Sequence, residues 1–198
     1  MTRLKFSYFL ITCVLSIHCL VIAQPGDILK YKEPVTEHGL VFEKETENRF
    51  ADSSYSNMIQ LLNSTGKIQA MQFRLQFNKA SDDNTVLIFE DIQKGSDLSD
   101  PSWLLDYNVI KGSIKKNGSS QDEIYVVLYN LNQNGGLSPG DYKNLFNVNY
   151  RVSEISGFKD NIKSTIKISH AEASTFNGSA INIKSSREEL KILIKSKK

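Results

Sequence analysis

Met71-Gln72-Phe73-Arg74-Leu75-Gln76-Phe77 places apolar side chains at 71, 73, 75 and 77 and polar ones at 72, 74 and 76. Successive side chains of a β-strand point to opposite faces of its sheet, so an unbroken period of two predicts a strand with one face in a core and one in water. Weaker alternation recurs to the C-terminus, and nine strand-like runs follow: 55–62, 68–78, 85–91, 103–110, 123–130, 145–153, 164–170, 180–184 and 189–195. The breaks between them carry turn chemistry, as in Asn63-Ser64-Thr65-Gly66, Lys94-Gly95-Ser96, Asn134-Gly135-Gly136 and Asn177-Gly178. Short strands separated by such clusters predict an all-β sandwich or barrel. At the C-terminus Ser186 and Glu189 have the spacing of a helix cap, but the alternation of Leu190, Ile192 and Ile194 with Lys191, Leu193 and Lys195 favours a last strand.

Residues 1–23 stand apart from this pattern. Arg3 and Lys5 precede an apolar run that ends in Val21-Ile22-Ala23, and Gln24-Pro25-Gly26-Asp27 breaks it abruptly. That is the form of a secretory signal peptide rather than a membrane anchor, and it predicts a product secreted to the periplasm, the cell surface or the medium. Cleavage would remove both cysteines, Cys13 and Cys19, so the mature chain would stand on its hydrophobic core without disulfides. It would also bring the 24 basic residues to 22, against 22 acidic ones. A neutral chain of interspersed signs has no electrostatic footprint for nucleic acid. Residues 24–53 are charge-rich around Glu43-Lys44-Glu45-Thr46-Glu47 and read as an N-terminal arm, or as an edge strand seated by Leu40 and Phe42. Residues 54–198 make the β-sandwich domain, with no further span long enough to cross a bilayer.

Chemistry-bearing motifs are weak. Gly136-Leu137-Ser138-Pro139-Gly140, followed by Asp160 and His170, spells a nucleophile elbow with triad partners in hydrolase order. An elbow needs a strained strand-to-helix turn, and strands surround this one. Asn130, Asn132, Asn134, Gly135 and Asp141 have the spacing of a calcium loop, but amides replace the carboxylates such a loop requires. His38 and His170 lack cysteine or nearby carboxylate company for zinc. The expectation is a chain with no catalytic residues, no metal and no cofactor.

Residues 123–129 form a more informative strand. Ile124, Val126 and Leu128 fall on one face, and Tyr125, Val127 and Tyr129 on the other. Either protein covers both faces, or the tyrosine face is a recognition surface, since tyrosine joins a rigid apolar body to a polar tip. In the next run Phe146, Val148, Tyr150 and Val152 should point inward, leaving Asn147, Asn149 and Arg151 outside.

The order of these elements resembles the bacterial cohesin domain. Carrying the resemblance are the strand Ile68-Gln69-Ala70-Met71-Gln72-Phe73-Arg74-Leu75-Gln76-Phe77, then Leu87-Ile88-Phe89 with Lys94-Gly95-Ser96. Val126-Val127-Leu128-Tyr129-Asn130, Gly135-Gly136-Leu137 and Phe146-Asn147-Val148-Asn149-Tyr150-Arg151-Val152 continue it. The family's Tyr-Asp-Pro step is replaced here by Asn78-Lys79-Ala80. The resemblance implies a nine-stranded jelly-roll β-sandwich and a non-catalytic binding module. Cohesins hold dockerins on a face made by their third, fifth, sixth and eighth strands. Counted from Tyr55, runs 123–130 and 145–153 are the fifth and sixth, which assigns partner binding to Tyr125, Val127, Tyr129, Asn147, Asn149 and Arg151. The expected partner is a dockerin-like protein or another subunit of a surface complex, with a polysaccharide as the alternative ligand.

Overall fold

The strand foretold by 71–77 is β4, Ala70–Asn78, and its burial alternates as the pattern requires: Met71, Phe73, Leu75 and Phe77 are buried, and Gln72 is exposed. The computed structural model describes residues 37–78, 87–116, 119–153 and 162–195. Residues 1–23 lie outside that range, as do Asp160 and the turn around Asn117.

Eleven strands are present among the described residues: β1 Gly39–Phe42, β2 Thr46–Phe50, β3 Ser53–Ser64, β4, β5 Leu87–Lys94, β6 Trp103–Lys116, β7 Ser119–Asn130, β8 Gly140–Val152, β9 Ile162–Ser174, β10 Ala180–Ile181 and β11 Glu189–Lys195. They form two sheets. The smaller has the order β1-β3-β8-β5, and the larger has the order β2-β11-β9-β4-β7-β6, with β10 paired to β9. Each of the nine runs read from the sequence contains a strand, although 180–184 does so only at Ala180–Ile181; β1 falls where Leu40 and Phe42 offered an edge strand, and β2 is additional. The helix alternative at 186–195 is not realised, because β11 pairs antiparallel with β9 and parallel with β2.

The inner faces meet in one apolar core. Phe73 of β4 packs on Phe146 of β8 with ring centroids 5.2 Å apart, and Phe77 lies edge-on to both Phe89 and Tyr150. Leu40 and Phe42 of β1 are wholly buried in the same core. The chain then crosses between sheets at 43–45, so that β1 extends the small sheet and β2 the large one. Trp103 is 3% exposed and begins β6 as a core residue.

Close approach fixes one turn outright. A Cβ on Gly95 would lie 2.0 Å from the Asn144 carbonyl oxygen, so Lys94-Gly95-Ser96 can bend against β8 only with glycine at its centre. The Gly95 amide meanwhile donates to the Leu145 carbonyl at 2.8 Å.

Polar groups close the sandwich where β2 meets the small sheet. The wholly buried Tyr150 donates its hydroxyl to Asn57 Oδ1 at 2.7 Å, and Arg49 Nε donates to the Tyr150 oxygen at 3.2 Å. Burial pushes the Tyr150 phenol above the usual tyrosine range, against the opposing pull of the Arg49 guanidinium.

Two tests follow from this packing. Phe73→Ala empties a site enclosed by both sheets and should cost about 3–5 kcal/mol in denaturant unfolding, whereas Gln72→Ala, next to it on the outer face, should cost less than about 0.5 kcal/mol. The raised Tyr150 pKa means that the folded chain keeps a proton which the unfolded chain loses near the ordinary tyrosine value of about 10. Its contribution is complete below pH ~10 and is lost as pH rises through the folded value. Unfolding free energies measured from pH 8 to 11 should therefore fall at the alkaline end, less steeply for Tyr150→Phe than for the parent.

Candidate functional site

Because Phe73 and Leu75 must face the core, Gln72, Arg74 and Gln76 face out, and the register carries that choice across the large sheet. One row runs Glu172, Gln72, Val127, Asp106 over β9, β4, β7 and β6. On one side of it lies the row Ser174, Ala70, Tyr129, Leu104, and on the other Ser169, Arg74, Tyr125, Asn108. A bulge in β9 adds one residue between Glu172 and Ser169, where His170 has φ +50°.

This outer face is more apolar than a solvated sheet requires. Val127 is 40% exposed, Tyr129 and Leu104 each 38%, and Ile110 of the same face 39%. Leu131, just past β7, is exposed as well. Single exposed apolar residues are ordinary, but Leu104, Val127 and Tyr129 are neighbours across β6 and β7 and make a contiguous patch, with Ile110 further along the same face. Beside it a polar cluster is drawn tightly together. Glu123, 5% exposed, accepts from Gln76 Nε2 at 3.2 Å and from the Tyr125 hydroxyl at 3.1 Å. Arg74 lies 3.6 Å from the same carboxylate, with its guanidinium 4.4 Å over the Tyr125 ring.

The six residues assigned from the sequence do not come together. Tyr125, Val127 and Tyr129 lie on the outer face of the large sheet, whereas Asn147, Asn149 and Arg151 lie on the outer face of the small one. The two surfaces point away from each other across the core, so one flat partner cannot cover both. Asn149 there donates to Asp91, Arg151 lies 3.8 Å from Glu90, and Ser54 donates to Glu90 at 3.0 Å. The discrepancy is one of counting. Residues 39–50 supply a first strand, interrupted by the crossing between sheets, which shifts every later ordinal by one. The third, fifth, sixth and eighth strands are then β4, β6, β7 and β9, contiguous in the large sheet as β9-β4-β7-β6.

Leu104, Gln72, Arg74 and Glu172 join the face without having been singled out from sequence. Alternation in 103–110 marks Leu104, Asp106, Asn108 and Ile110 as one side of a strand, but nothing local says which strand lies beside it.

The loop at 131–139 leads from β7 into β8, with no helix after Ser138 as an elbow would need. Its amide oxygens are engaged in turns: Asn130 Oδ1 accepts from the Asn132 amide at 2.8 Å, and Asn132 Oδ1 from the Asn134 amide at 3.0 Å. Asp141 accepts from the Asn63 amide at 2.7 Å. No group of three or more His, Cys, Asp or Glu residues is placed to hold a metal among the described residues.

No family model matches the sequence, and no curated protein is significantly similar to it. Solved structures do match in fold. A type I cohesin of Clostridium thermocellum, solved in complex with a dockerin, superimposes with a TM-score of 0.57 at 18% identity, covering 84% of this chain and 100% of that one. The sixth cohesin of scaffoldin B from Acetivibrio cellulolyticus, solved with a Cel5 dockerin mutant, gives 0.54 at 15% identity over 80% and 99%. A second Clostridium thermocellum type I cohesin, also in a dockerin complex, gives 0.52 at 15% identity over 81% and 100%. The chain therefore has a cohesin-like jelly-roll fold.

Arg74 is the counter-charge of a nearly buried carboxylate. Arg74→Ala should destabilise the protein by about 1–3 kcal/mol, a range reduced from that of fully buried pairs because Arg74 is partly exposed. A double-mutant cycle with Glu123→Gln, read by denaturant unfolding, should show the two losses to be non-additive.

Proposed function

We propose that this chain is a secreted, non-catalytic binding module that holds a protein partner of dockerin type on the outer face of β9, β4, β7 and β6. The observation that carries this reading is the exposed apolar surface on β6 and β7, with Val127, Tyr129, Leu104 and Ile110 open to solvent, beside the polar outer rows of β4 and β9. Flat patches of this composition, ringed by amides and charges, suit protein partners, whose binding energy concentrates in a few central residues. The solved cohesins of like fold were captured with dockerins, which supports the same class of partner here. Secretion rests on the signal-peptide form of residues 1–23. No helix among the described residues is long and apolar enough to cross a membrane.

Of the six residues read from the sequence, Tyr125, Val127 and Tyr129 stay in the proposed site. Asn147, Asn149 and Arg151 leave it, for they face the other way. A polysaccharide is the weaker alternative. Sugar rings stack on open aromatic faces, and Arg74 covers Tyr125 while Trp103 is buried.

Isothermal titration with a panel of purified dockerins tests the proposal. Val127→Glu and Tyr129→Ala should each weaken binding at least tenfold, and Arg151→Ala should leave it unchanged. Loss of binding in Arg151→Ala alone, or failure of every dockerin to bind the parent, sinks the reading.

A further inference from the structure

At one end of this face the β9–β10 hairpin frames a cleft of about 660 Å3. Ala70, Gly178 and Ala180 line it, none reaching beyond Cβ, with Val127 as an apolar wall and Gln72, Ser174 and Asn182 as polar ones. Ala173 and Ile181 border it only from within the sheet, for their side chains are buried in the core. Space at the hairpin is open, since a Cβ on Gly178 would meet nothing within 4 Å. Glu172 is the one charged residue in the described lining. Its Oε2 accepts from Gln72 Nε2 at 2.9 Å, and its side chain is solvent-exposed, so the carboxylate is positioned at the rim without being neutralised by that amide.

The surroundings sharpen the sign. On the other side of Glu172 a recess of about 220 Å3 is bordered by Arg74 and His170. Arg74 is engaged with Glu123 and Tyr125, which leaves it committed elsewhere. Three strands across, at the far end of the same row, stands a second acid, Asp106. Three inter-strand spacings separate these two carboxylates by about 14 Å. An apolar channel with an acid at its rim is complementary to a cation on a flexible aliphatic stem, because such side chains bury their methylenes and keep the charged head at the surface.

We infer that this cleft receives a lysine or arginine side chain of the bound protein, its stem along Ala70 and Ala180 and its cationic head on Glu172. The inference rests on the docking face proposed above and specifies the partner's chemistry: a protein presenting a basic residue beside an apolar patch. Exposed ion pairs contribute little by themselves. The stem's burial supplies most of the affinity, and Glu172 selects the sign of the charge.

A probe shaped like the side chain alone separates this inference from the docking reading. In a titration followed by amide chemical shifts, n-pentylammonium should perturb Gly178, Ala180 and Ala173 saturably, whereas pentanoate should not. Glu172→Gln should weaken the pentylammonium response at least threefold, and 0.5 M sodium chloride should weaken it as well. Ala180→Leu, which fills the cleft and keeps the carboxylate, should abolish it. Equal responses to the two probes, an affinity unchanged in Glu172→Gln, or no perturbation at these amides overturns the inference. None of those results alters what dockerin titration of Tyr129→Ala says about the face itself, since Tyr129 lies outside the cleft.

Discussion

The contact between Phe73 and Phe146 stands for the constraint under which the rest of the molecule is arranged: the two sheets hold together chiefly through the apolar surfaces they turn toward each other. The chain's two cysteines, Cys13 and Cys19, lie outside the described residues, so no disulfide among those residues shares the task. A fully buried large apolar side chain contributes about 1.5–3 kcal/mol, and the core contains many of them. Side-chain direction has period two, so slipping β4 by one residue would place Gln72, Arg74 and Gln76 in the core. The outer face is thus a consequence of the inner one.

Residues 39–50 work on both layers. Through β1 they cover the edge of β3, and through β2 they run parallel to β11, so a single segment closes each sheet at one side. Arg49 ties that segment to the small sheet through the Tyr150 hydroxyl and Asn57, with Glu47 3.3 Å from its guanidinium. Buried polar groups are tolerated here because each finds a partner.

The two outer faces differ in kind. On the small sheet, amides, hydroxyls and ion pairs bond to one another, so a ligand would have to displace contacts already made. The large sheet instead leaves aliphatic and aromatic surface uncovered next to a preorganised cluster of Arg74, Glu123 and Tyr125, and the exposed acids Glu172 and Asp106 stand at either edge. A partner bound there, as proposed, would gain by removing apolar surface from water, and the charge pattern would supply orientation.

Much of the fold was legible in the sequence, and the site was only half so. Alternation at 71–77 told which side chains of β4 turn inward, and Asn-Gly and Gly-Gly clusters told where strands end, because both depend on backbone sterics within a few residues; at 123–129 both faces are apolar, so the sequence sorted the two faces without saying which is covered. Alternation in 145–153 was equally plain and named the outward residues correctly, yet it could not say that their surface belongs to the other sheet. The apolar island at 39–42 read equally as an arm or an edge strand, and the count of strands began after it at Tyr55, which displaced the ordinals that placed Asn147, Asn149 and Arg151 beside Tyr125. Inward or outward is a property of a strand and its local period, so the sequence by itself determined it. Which strand lies next to which depends on hydrogen bonds and packing between residues a hundred positions apart. Only the tertiary structure decided that β9, β4, β7 and β6 share one face and that Glu172 meets Gln72 on it.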